Sequence, residues 1–85
     1  MNVQTLIEIY DNDSGNFVAD IDITKYGLDS IRKIAPPKAD DPDYYDPFDL
    51  NKDQFLLLQN LVPELTDYIY EENFYCIQSR QAEHQ

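Results

Sequence analysis

The sequence predicts an α+β fold for residues 1–85, a small single domain whose antiparallel three-stranded sheet carries two helices in the order β-β-α-α-β. Three observations lead there. Two segments near the start alternate with period two, two later segments repeat apolar residues at spacings of three and four, and an aromatic, β-branched segment lies near the end. A two-stranded hairpin is marginal in water by itself. A third strand and two helices over one face form the smallest arrangement that encloses a core.

In chain order, Val3, Thr5, Ile7 and Ile9 form the first alternating row, and Phe17, Ala19, Ile21 and Ile23 form the second, with Asp20 and Asp22 between them. The connector DNDSGN supplies Asp and Asn for a turn and Gly15 for a left-handed residue that closes a hairpin. Leu28, Ile31 and Ile34 mark a short helix that follows Gly27 and Asp29 and stops at Pro36 and Pro37. Asn51 caps a second helix with Gln54 returning the bond, while Leu50 and Phe55 occupy the two positions of a hydrophobic staple. Phe55, Leu58 and Val62, with Leu57 and Leu61, form the apolar stripe of that helix, and Pro63 ends it near residue 62. The segment DYIYEENFYCIQSRQ carries both strand and helix signals; its aromatic and β-branched residues favour a third strand over 73–79. No internal repeat, low-complexity tract or domain boundary interrupts the chain, and residues 35–50 are expected to form a long functional loop.

Composition narrows the function. Seventeen Asp and Glu against six Lys and Arg give a formal net charge of −11, which repels nucleic acid and anionic lipid and favours a cationic partner. Eighty-five residues bury only about 60 to 65% of the surface their unfolded chain exposes, which leaves little room for an enclosed active site. The single cysteine, Cys76, excludes an internal disulfide, and MNVQTLIEIYD lacks the basic start and apolar run of a secretory signal, so a cytoplasmic location is expected. No apolar run approaches the roughly 20 residues of a membrane span.

Catalysis and metal binding find little support. The only histidine, His84, reads as a tail residue and Cys76 as a small core hydrophobe within FYCI, so no nucleophile and base stand together and no enzyme is expected. DNDSGNFVADID starts and ends like a calcium loop. It places Gly15 fifth and Asn16 sixth, however, where such a loop needs an oxygen ligand and then glycine. No cofactor is expected.

The segment ADDPDYYDPFDLN differs from the rest. Asp40, Asp41, Asp43, Asp46 and Asp49 are interleaved with Tyr44, Tyr45 and Phe48, while Pro42 and Pro47 keep the segment out of an ordinary helix. Disordered tracts lack aromatics. Rings can anchor an interface while carboxylates accept charge-assisted bonds from a partner's Arg and Lys, so all eight residues are candidate partner-binding groups. A second acidic patch, DYIYEENFY, adds Glu71 and Glu72.

The run LIEIYD, then SG, then DIDI, a short helix, DPDYYDPFDL and a Leu-rich helix resembles small acidic immunity proteins encoded beside bacterial toxins, as in contact-dependent growth inhibition. The resemblance implies a cytosolic inhibitor of a basic toxin domain, in many cases a nuclease acting on transfer RNA. Its carboxylates would take the place of substrate phosphates, with no nucleic acid bound directly. The alternatives are an acidic DNA mimic, which would carry paired acids at phosphate-like spacing on long helices, and a regulatory protein-binding module.

Overall fold

The computed structural model describes residues 3–81, and His84 lies outside them. The chain is an α+β domain with two helices on an antiparallel sheet, but that sheet has four strands, not three. Strands β1 (Val3–Asp11) and β2 (Phe17–Asp22) form the expected hairpin. Helix α1 spans Leu28–Ile34, the added strand β3 is Phe48–Asp49, helix α2 spans Lys52–Leu61, and β4 is Asn73–Gln81. The order across the sheet is β2-β1-β4-β3. The fourth strand escapes a reading by periodicity because two residues are too few to show a period.

Each turn has a local cause. Gly15, at φ 74°, donates its N–H to the Asp11 carbonyl at 2.8 Å, while the Asp11 carboxylate accepts from the N–H and hydroxyl of Ser14. The carboxyl group the calcium pattern offered as a ligand thus holds the hairpin turn. Helix α2 starts with a capping box in which the Asn51 side chain accepts from the Gln54 N–H at 2.9 Å and the Gln54 side chain accepts from the Asn51 N–H at 3.0 Å. Leu50 and Phe55, the staple pair, are both buried. Asn51→Ala is expected to lower stability by about 1 kcal/mol, measured by denaturant unfolding; an unchanged midpoint would contradict the capping role.

The core lies between one sheet face and the helices. Ile7 and Ile9 of β1, Ile21 of β2 and Tyr75 and Ile77 of β4 share one face, and they pack with Ile31 of α1 and Phe55 and Leu58 of α2. At one end of that face the hydroxyls of Thr5 and Ser79, directly opposite in register, are buried and 2.7 Å apart, so neither is left unpaired. The Tyr75 ring sits 4.4 Å from Phe55 and 6.0 Å from Tyr70. Tyr26 donates to Glu64, and Lys25 lies 3.2 Å from the same carboxylate, which ties the turn before α1 to the turn after α2.

One strand position departs from the alternation. The pairing of β1 with β2 shifts between Ile9 and Tyr10, so that Tyr10 faces Phe17 across the hairpin. The extra residue at this bulge turns Phe17 out of the inward row, and it is 56% exposed. Among the described residues, no helix is long and apolar enough to cross a membrane.

Candidate functional site

Residues 35–50 form a braced element. It leaves α1 at Ala35, runs antiparallel to β4 and enters α2 at Asn51. Three contacts fasten it along β4: the Ser79 N–H donates to the Tyr44 carbonyl at 2.7 Å, Phe48 and Asp49 pair with Ile77 and Cys76, and the Leu50 N–H donates to the Tyr75 carbonyl at 2.9 Å. From α1, Arg32 donates to the Pro42 carbonyl at 3.1 Å and to the Asp43 carboxylate at 2.8 Å. Prolines and carboxylates therefore rest on a frame of backbone bonds.

Within the loop the predicted site residues divide. Asp41 is structural as well as acidic: one carboxylate oxygen accepts from the Tyr45 N–H and the other from the Asp46 N–H, each at 2.9 Å. Asp43 is partly exposed and engaged by Arg32. Phe48 is half-buried, with its ring 5.8 Å from that of Tyr44 at 83°. Asp40, Asp46 and Asp49 are exposed, and the Tyr45 ring is 49% exposed.

Tyr44 requires a correction. Its place among aspartates suggested a surface anchor, but its side chain is 1% exposed and its hydroxyl donates to the Ala35 carbonyl at 2.5 Å. The residue adopts φ 59°, a left-handed conformation that turns the ring inward while Tyr45 points out. Burial pushes its hydroxyl pKa up against the opposing charge of Arg32, so the hydroxyl remains a donor at neutral pH.

Glu71 and Glu72 belong to another patch. They occupy a 3-10 turn before β4, whereas Tyr44 lies beside Ser79, six residues along the strand and so about 20 Å away. The hairpin turn is their neighbour: Asn12 donates through its side chain to the Glu71 carbonyl at 2.8 Å and through its N–H to the Glu72 carbonyl at 3.2 Å. Asp11, Asp13, Glu71 and Glu72 line one open depression there. Lys52, 2.6 Å from Glu71, holds that carboxyl below the usual range.

The sheet's second face was missed by sequence reasoning. Its register places Phe17, Tyr10 and Phe74 in one row and Asp20, Glu8, Cys76 and Asp49 in the next. Tyr10 stacks on Phe74 at 5.2 Å and meets Phe17 edge-on at 5.8 Å. Alternation in β4 offers the signal for Phe74, but the bulge hides Phe17. Cys76, the expected core hydrophobe, is indeed buried, yet on this face and 3.7 Å from Glu8.

Burial, reinforced by the Glu8 carboxylate, pushes the Cys76 thiol up to about 12. Only about one molecule in ten thousand then carries a thiolate at pH 8. Native protein is expected to resist iodoacetamide at that pH and to react only as it unfolds; rapid labelling of folded protein would contradict this.

Four of the six Lys and Arg side chains, Lys25, Arg32, Lys52 and Arg80, already form ion pairs within the chain. Much of the acidic excess is therefore left facing outward. No curated protein and no solved structure matches the sequence. The model of one family, a domain of unknown function described as DUF7683, matches residues 4–78, and the chain belongs to that family.

Proposed function

We propose that this chain is a non-enzymatic binding module that captures a cationic protein, and that the partner is a basic toxin domain, most simply a nuclease, which it neutralises. The observation that carries the reading is the braced loop, which presents Asp40, Asp46, Asp49 and the half-exposed Tyr45 against a single cation of its own, Lys38, while Arg32 of α1 is already engaged by Asp43. A rigid loop loses little entropy on binding, so its carboxylates can act as preorganised acceptors for Arg and Lys. The resemblance to immunity proteins supplies the biological setting, in which a nuclease groove built for phosphates accepts carboxylates instead.

The test is to titrate the purified chain into the C-terminal domain encoded by the neighbouring upstream reading frame, following heat of binding and nuclease activity together. Stoichiometric binding that abolishes activity is expected. A domain that keeps full activity in saturating amounts of the chain would refute the reading.

A further inference from the structure

We infer that the open face of the sheet is a docking surface for a cationic, arginine-bearing segment of a protein partner. The inference rests on the reading above and extends the contact from the loop onto the sheet. Leu6, Glu8, Tyr10, Phe74 and Cys76 stand on the face opposite the helix-packed core and outside that core cluster; Leu6 and Cys76 are buried beneath their neighbours there, while Glu8, Tyr10 and Phe74 reach the surface. Phe17 and Phe74 are 56% and 47% exposed, and with Tyr10 they form a continuous row of rings across three strands. Rings arranged this way on a surface offer apolar area that water covers poorly.

Charge complementarity selects the occupant. Alternate residues on one face of a strand lie about 7 Å apart, so the row containing Asp20, Glu8 and Asp49 runs about 7 Å from the rings on one side. Beyond the other side of the rings, at the strand ends, is the depression lined by Asp11, Asp13, Glu71 and Glu72. The cation of this face, Arg80, lies 3.7 Å from Asp20. A side chain that suits the pattern has an apolar stem to lie on a ring and a cationic head that reaches a carboxylate, as Arg does. Glu8 is placed to receive such a head, being partly exposed, opposite Asp20 in register and one row from the rings. The loop joins this face directly: the Gln78 side chain donates to the Tyr45 carbonyl at 3.2 Å, and Asp49 lies opposite Cys76.

The probe is hexa-arginine, titrated into the isotope-labelled chain in 100 mM salt and followed through backbone amide resonances. Saturable shifts centred on Glu8, Tyr10, Asp20, Phe74 and Cys76 are expected. Replacing both exposed rings, Phe17→Ser with Phe74→Ser, leaves the net charge unchanged and is expected to weaken hexa-arginine about tenfold. Shifts confined to residues 40–49, or an affinity indifferent to the two rings, would overturn the sheet as the docking surface while leaving a cationic partner in place. No saturable binding anywhere would overturn both.

Discussion

Tyr44→Ala is expected to remove about 3 to 5 kcal/mol of stability, the largest loss from any change within the acidic loop. The ring is 1% exposed and packs edge-on against Phe48, and its hydroxyl satisfies the Ala35 carbonyl at the end of α1. Its own carbonyl accepts from Ser79, so the same residue joins helix, loop and sheet. An 85-residue domain has roughly 4 to 13 kcal/mol in total, and each kcal/mol shifts the melting temperature of such a domain by about 4 to 8 °C. The alanine variant should therefore melt at least about 12 °C lower, whereas Tyr44→Phe, which loses only the hydroxyl bond, should cost about 1 kcal/mol. An alanine variant that melts within a few degrees of the parent would show that the ring does not anchor the loop.

The second large effect concerns association. Asp40→Asn, Asp46→Asn and Asp49→Asn together reduce the net charge from −11 to −8 (−11 + 3) without touching the Asp41 carboxylate that ties Tyr45 and Asp46. Long-range attraction acts mainly on the encounter step, so association with a cationic toxin domain is expected to slow by roughly 10- to 100-fold at low salt, with a flatter dependence on ionic strength. Dissociation should change less. Stopped-flow mixing over a salt series checks this, and association rates that match the parent at every salt concentration would place the steering charge elsewhere. Asp41→Asn provides a contrast, because weakening the two carboxylate oxygens that accept from the Tyr45 and Asp46 N–H groups should cost loop order as well as charge.

These two variants mark where the sequence was legible. Capping box, staple, hairpin glycine and the strand over 73–79 depend on near neighbours in the chain, and each took the form its residue types require. Tyr44 and Tyr45 were read alike because both lie between aspartates, but their fates diverge through a left-handed backbone angle and the distant partners Ala35 and Ser79. Neither cause is written locally. Phe17 was misplaced for a similar reason: a single bulge residue reverses the facing of what precedes it, and alternation cannot register a one-residue slip. Glu71 and Glu72 were read as a second acidic patch, and the topology gathers that patch with the hairpin turn, a neighbour distant in sequence.

Co-expression in growing cells tests the central claim most directly. The C-terminal region encoded by the neighbouring upstream reading frame is induced alone, with the chain, and with the chain carrying the three Asn substitutions. Toxicity relieved by the parent chain and relieved less by the substituted one is the predicted result. Toxicity that the parent chain leaves untouched, although both proteins accumulate, would contradict the proposal that this acidic surface exists to neutralise a basic toxin.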